Sequence, residues 1–175
     1  MKIYSGNKIK VPTNYDFLFS KKYVTRAGII PYMMVGDQTY ILLGVDKSNG
    51  QLADLGGTIE KGETTLDAGI REYMEESRDV FPVNLKDTTS IVISKLFHKS
   101  NDKKTKQVIL FVKVDYDPSH WAIDDKFQQT VPTIPCEDEM SNLQWINLKD
   151  FMNLSNSELS KSMKSMRKVL YQYES

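Results

Sequence analysis

At 175 residues, with 23 basic and 23 acidic side chains and a pI near 6.7, the chain carries no net charge and offers no global field to draw nucleic acid or anionic lipid. Its length, with 40% hydrophobic and 26% charged residues, fits one globular domain over residues 1–175 rather than a disordered or membrane protein. The lone Cys136 rules out an intramolecular disulfide and a cysteine-rich zinc site, and leaves His98 and His120 as the imidazoles.

The amino end, MKIYSGNKIKVP, lacks the apolar stretch of a signal peptide and reads as a short extension. No later segment is long and apolar enough to span a bilayer. With the lone cysteine, this predicts a reducing, cytoplasmic location, in the host cell if the source is a virus, and no membrane partner. From Tyr23 to Asp46, two apolar, β-branched and aromatic runs flank a Gly-Asp turn and predict a strand pair. Pro31 has no amide to give a ladder, which predicts an edge or a bulge in the first strand. After the turn KSNG, the segment Gly56 to Val80 gathers seven carboxylates. Its second half is helical in pattern: Leu66, Ile70, Tyr73, Met74 and Ser77 share a face, Thr64 and Asp67 form a start signal, and Pro82 is the latest stop. TSIVISKLFH and QVILFVKVDYD predict a hairpin joined by the polar loop Lys99 to Lys106. Trp121 to Pro135 reads as loop, and Leu143 to Leu148 as a last short strand. Ser155 and Glu158 form a capping-box pattern ahead of Leu159, Met163, Met166, Leu170 and Tyr173, which predicts a C-terminal amphipathic helix. Strands, helix, strands and helix in that order predict a mixed α/β (α+β) fold without strict βαβ alternation.

Glu72, Glu75 and Glu76 are spaced to project toward one side of the helix. Like charges so placed repel, and a carboxylate cluster becomes useful when a cation joins it. Hard oxygen ligands suit Mg²⁺ or Mn²⁺, ions that keep several waters and bridge to phosphates, so phosphate chemistry is the expected destination. Arg71 can pair with Glu75 or with Glu63 from the loop, and Gly56, Gly57 and Gly62 permit tight turns and close approach. Lys95, Lys99, Lys103, Lys104 and Lys106 could grip phosphates or RNA, although such a loop is more often simply solvated.

The pattern G-x5-E-x7-R-E-U-x-E-E-x-G-U, with U a bulky aliphatic residue, is met by Gly57, Glu63, Arg71, Glu72, Tyr73, Glu75 and Glu76 in register. This closely resembles the signature of the Nudix hydrolases. All five charged positions from Glu63 to Glu76 match. The resemblance extends from about Tyr23 to Phe151, including the run from Glu139 through Trp145 to Leu148. It departs at Tyr73 for an aliphatic residue, at Arg78 for the late glycine, at Asp79 for the last aliphatic position, and at DLGG for the usual proline-glycine-glycine. A left-handed turn is strained for arginine, so the expectation is a helix that runs on by a residue, with Val80 supplying the missing apolar contact.

The resemblance implies a Nudix-type α/β/α sandwich with a mixed β-sheet, and a pyrophosphohydrolase that cleaves a nucleoside diphosphate joined to another group. It implies Glu72, Glu75 and Glu76, with a carbonyl of Gly56 or Gly57, as ligands for Mg²⁺ or Mn²⁺. Glu63 and Arg71 would be structural partners. The general base differs across the family, and the candidates are Glu72 in the box and Glu139 or Glu137 outside it. A glutamate committed to metal is a weak base, which keeps Glu139 in play. Substrates left open are nucleotide-like or other phosphorylated small molecules, among them ADP-ribose, dinucleoside polyphosphates and diphosphoinositol phosphates, and the cap of mRNA. A non-catalytic nucleotide- or RNA-binding Nudix domain is the rival reading, and nothing indicates an oligomeric state.

Overall fold

Runs such as QVILFV and GIIPYMM have apolar residues at almost every position, the pattern of strands buried on both faces. The computed structural model describes residues 24–174; the predicted N-terminal extension lies outside the described residues. Strands β1 (Val24–Val35), β2 (Gln38–Asp46), β3 (Leu52–Ala53), β4 (Leu55–Thr58), β5 (Thr88–His98), β6 (Lys103–Lys113) and β7 (Met140–Asn147) make one sheet of order β3-β2-β1-β6-β5. In addition, β4 pairs with β1 and β7 with β2; β1 and β6 are parallel and every other pair is antiparallel.

Neighbouring residues on these strands go to opposite faces. Ile29, Leu42, Val108 and Leu110 meet Tyr73 of α1 (Thr65–Glu76) and Ile123 and Phe127 of α2 (Ile123–Gln129). Ile30, Leu43, Ile109 and Phe111 meet Phe151 of α3 (Leu148–Asn153) and Met163, Met166 and Leu170 of α4 (Lys161–Glu174). The result is the expected α/β/α sandwich around a mixed sheet. No helix among the described residues is long and apolar enough to cross a membrane.

Several local expectations change. β1 is central rather than an edge, and its register shift falls between Val24 and Arg26, not at Pro31. Pro31 is accommodated because one side of β1 hands over there from β4, which pairs through Ile29, to β2, which pairs from Tyr32. The Trp121 to Pro135 stretch holds α2, a helix too short for periodicity to reveal, with buried Ile123 and Phe127 four residues apart. The Ser155 and Glu158 capping box is present but caps a 3₁₀ turn at Asn156–Glu158. Helix α4 starts later, where Ser160 Oγ accepts from the Met163 amide. Met74 is 47% exposed rather than part of the buried face of α1. Lys103, Lys104 and Lys106 stand on β6 rather than in a loop.

Candidate active site

Thr64 Oγ1 accepts from the Asp67 amide at 3.1 Å and starts α1 where the sequence signals it. Arg71 is then the hub of the rim. Its Nε and Nη2 donate to the two Glu63 oxygens at 2.6 and 3.1 Å, and its Nη1 to Glu72 at 2.8 Å and Glu75 at 3.3 Å. Glu63 also accepts from the Glu60 amide, and Arg71 Nη2 from its other side reaches the Thr58 carbonyl, so the β4–α1 loop is pinned to the helix. The hydrogen bond from Arg71 and that from the Glu60 amide hold the Glu63 carboxyl below the usual range.

Glu72 lies against Gly57. A Cβ on that glycine would fall 2.4–2.6 Å from the Glu72 carboxylate atoms, so only glycine leaves room for it. Burial raises the Glu72 pKa against the pull of Arg71, and the charges of Glu75 and Glu139 add to the rise. Glu76 points inward: the residue is 5% exposed, and its Oε2 has no hydrogen-bond partner among the described residues. Burial, and then the charge of Asp54, push its pKa well above the usual carboxylate range; Arg26 opposes, while Glu72 and Glu139 add. The three glutamates therefore lie at different depths on that side of the helix. Glu75 stays at the rim with Arg71, and Glu76 sits in the interior.

Beneath Glu76 is a polar network that sequence reasoning missed. Asp54, fully buried, receives Arg26 through both oxygens at 2.8 and 3.0 Å and the Ser162 hydroxyl at 2.9 Å. Its carboxylate fills the space that a side chain at Gly28 or Gly56 would need. Arg26 also donates to the Gly56 carbonyl at 2.8 Å, so one lone pair of the carbonyl expected to face metal is already taken. Gln107 links Ser94 and Ser162. The one signal in the sequence was an acid in LADLGG, among neighbours that are otherwise apolar or glycine.

The far wall of the site is the loop before β7. Arg78 donates through Nε to the Glu137 carbonyl at 2.9 Å and through Nη1 to the Phe127 and Thr130 carbonyls at 3.1 and 2.9 Å. Its guanidinium also stacks on the Phe127 ring, 3.9 Å from the centroid. The Glu137 carboxylate accepts from the Thr133 amide at 2.8 Å. Glu139 is exposed, its carbonyl accepts from the Lys47 amide, and its carboxylate makes no hydrogen bond or ion pair among the described residues. His98 bonds the Thr105 hydroxyl, and His120 packs on Phe81 and Trp145, both away from these carboxylates.

A NUDIX domain profile matches residues 23–170. The chain belongs to the Nudix family. Among solved structures, a C. elegans Ap4A hydrolase in a binary complex is similar at 19% identity and TM-score 0.54, covering 85% of this chain and 96% of that one. The NUDIX domain of Shewanella oneidensis NrtR complexed with ADP ribose is similar at 15% identity and TM-score 0.54, covering 97% and 100%. A bifunctional NMN adenylyltransferase/ADP ribose pyrophosphatase from Francisella tularensis, complexed with AMP and Mn ion, is similar at 17% identity and TM-score 0.50, covering 89% and 44%. At such identities the likeness is one of fold. No curated protein sequence matches the chain.

Within the Nudix pattern, the departures acquire physical reasons. Helix α1 does not run on past Glu76. Arg78 and Asp79 adopt the left-handed φ values of 52° and 53°, and their amides close on the Glu75 and Met74 carbonyls in a Schellman motif. Arg78 thus takes the conformation of the glycine it replaces, and its anchored guanidinium offsets the strain. Val80 does pack against the core, as expected. Tyr73 buries its ring, and its hydroxyl donates to the Phe81 carbonyl at 2.5 Å, tying down the turn after the helix.

Nudix hydrolases generally use divalent metals, and the residues present fit one. The donors are all oxygens, Glu76 keeps an unpartnered buried oxygen, and Gly57 leaves Glu72 lying flat against β4. Among the described residues, no three acidic, histidine or cysteine side chains converge as a ready-made cage, because Glu72 and Glu75 turn to Arg71.

Proposed function

We propose that this Nudix domain hydrolyses a pyrophosphate bond in a nucleoside diphosphate derivative, with Mg²⁺ or Mn²⁺ held by Glu72, Glu75 and Glu76. The carrying observation is Glu76, an almost wholly buried carboxylate with an unpartnered oxygen, beside Glu72. A lone buried charge is costly to a fold and becomes tolerable when a cation completes it. The complexes of similar folds with ADP ribose, and with AMP and Mn ion, support the ligand class.

When bound, the metal supplies Lewis-acid polarisation of phosphoryl oxygens and an acidified water. The chain's own residues do the rest. Arg71 holds Glu72 and Glu75 at the rim and fixes the Glu63 loop, so the carboxylates are oriented before the ion arrives. Arg26, held by Asp54, donates directly to the Gly56 carbonyl and anchors that backbone from beneath. Glu139 is the general base in this reading: its carboxylate has no hydrogen-bond or ion-pair partner among the described residues, and it is near enough to raise the proton affinity of Glu72 and Glu76. Glu137 is engaged with Thr133 and with Arg78.

The test is cleavage by purified protein of a panel of ADP-ribose, dinucleoside polyphosphates, a diphosphoinositol phosphate and capped RNA, with Mg²⁺, Mn²⁺ or chelator. Metal-dependent turnover that disappears in Glu76→Gln and falls steeply in Glu139→Gln supports the hydrolase and names its substrate. Ligand binding without turnover by folded, metal-loaded protein would replace it with the non-catalytic binding domain.

A further inference from the structure

Arg78 sits two residues past Glu76, in the left-handed turn that ends α1, where a residue with a Cβ is strained. Its side chain is 8% exposed. Among the described residues, every polar contact of that side chain goes to the loop before β7, and none to its own helix. Both ends of the loop are held at once. The Phe127 and Thr130 carbonyls accept on one side and the Glu137 carbonyl on the other, with the Asp138 carboxylate 3.5 Å from Nη2 and the Phe127 ring beneath the guanidinium. From the opposite direction, Lys47 donates through Nζ to Asp138 at 2.8 Å and through its amide to the Glu139 carbonyl at 2.9 Å. The 3₁₀ turn Pro135–Asp138 packs on α1, and Cys136 within it is half-buried with its thiol beside Glu75.

We propose that Arg78 is a positioning residue for Glu139, fixing the loop that carries the general base to the helix that carries Glu72 and Glu76. The inference rests on the hydrolase reading above and goes beyond it, because it gives a task to a position that the Nudix pattern leaves to glycine. Glu139 directly follows the segment that Arg78 grips, so its backbone is referenced to the end of α1. Within the loop the backbone bonds are local, from Thr130 to Phe127 and from Glu137 to Ile134. Arg78 and Lys47 supply the hydrogen bonds that tie it to α1 and to the β2–β3 turn. Such ties matter to a base, which must stay within about 3 Å of the proton it takes; a misplacement of about 1 Å costs on the order of a hundredfold in rate. A planar guanidinium can serve three carbonyls and lie flat on a ring, whereas a lysine ammonium is a single point charge. Enclosed by the loop, the guanidinium acts through Glu139 rather than on the substrate.

The test compares wild type with Arg78→Gly, Arg78→Lys, Glu139→Gln and the double variant Arg78→Gly, Glu139→Gln, each first shown to be folded at the assay temperature. Glycine relieves the left-handed backbone, so a loss in Arg78→Gly cannot come from strain in the turn. The first readout needs neither metal nor turnover. Cys136 is the only cysteine of the chain, so its reaction with an aromatic disulfide reagent in chelator reports release of the loop from α1. Arg78→Gly should speed that reaction by about tenfold or more, and Arg78→Lys by less. The second readout is kcat on the substrate that the panel identifies. Arg78→Gly should lose about tenfold to a hundredfold with KM changed by less than about threefold, and lose nothing further once Glu139→Gln is present. An unchanged thiol rate in Arg78→Gly, or rate losses that multiply in the double variant, overturns the proposal. Should folded wild type turn over nothing, the hydrolase reading fails by itself, and the same cycle is read on Mn²⁺ affinity. There Glu139→Gln should weaken binding about threefold in the wild type and not in Arg78→Gly, and equal weakening in both overturns the proposal.

Discussion

Replacing Glu76 with Gln should make the metal-free protein more stable while removing its metal response. Glu76 is 5% exposed, with one oxygen unpartnered, and lies near Asp54, Glu72 and Glu139, with Arg26 as its counter-charge. An unsatisfied buried polar group costs about 1–3 kcal/mol, and more when charged. The amide keeps the shape, removes the charge and can donate to a neighbouring carboxylate, so a gain of about 1–2 kcal/mol is expected. For a chain of this size, 1 kcal/mol moves Tm by about 2–4 °C, which gives a rise of roughly 2–8 °C in chelator at neutral pH. The pH dependence has a definite sign. A carboxyl whose folded pKa is raised binds its proton more readily in the folded state, so wild-type stability rises as pH falls through that folded pKa, and the advantage of the variant shrinks. Added Mg²⁺ should raise the wild-type Tm through binding to the folded state and leave the variant nearly unmoved. Calorimetry of both proteins, with chelator and with Mg²⁺, checks this. A variant that melts below the wild type in chelator would show that the buried carboxylate stabilises the fold, and would refute the reasoning.

Gly57→Ala should displace the Glu72 carboxylate and weaken Mn²⁺ binding, measured by titration calorimetry, by tenfold or more at a stability loss of about 1–3 kcal/mol. At Arg78, the left-handed backbone and the anchored guanidinium act in opposite directions. Denaturant melts should therefore rank wild type above Arg78→Gly, and Arg78→Gly above Arg78→Ala by about 1 kcal/mol, with faster amide exchange at 130–139 in both variants. Asp54→Ala leaves the Arg26 guanidinium without its buried partner and should lower the unfolding free energy in urea by about 3–5 kcal/mol. Glu63 has a depressed pKa, so its contribution is present above the unfolded value and fades as pH falls through the folded one; Glu63→Gln should flatten that acid limb in pH-dependent melts.

Much of the site was legible because its chemistry is local. Glu63, Arg71, Glu72 and Glu75 lie within thirteen residues of one loop and helix; helical spacing puts Arg71 and Glu72 each within reach of Glu75, and the register of the box pointed to Glu63 as the loop partner. Strand runs and the two amphipathic helices were readable from apolar periodicity for the same reason. Helix α2 was not, since seven residues with two apolar positions carry too little pattern.

By itself, the sequence determined the composition class, the alternation that makes a two-faced sheet, and the charged register of the box. Tertiary structure decided which of the three glutamates is buried, what lies beneath it, and how Arg78 ends the helix. Asp54 meets Arg26 across 28 residues, and Ser162 reaches Asp54 across 108. Spacing along a chain cannot encode such meetings, because they exist only once β1, β4, β6 and α4 have packed. The same packing sets the dielectric around Glu76.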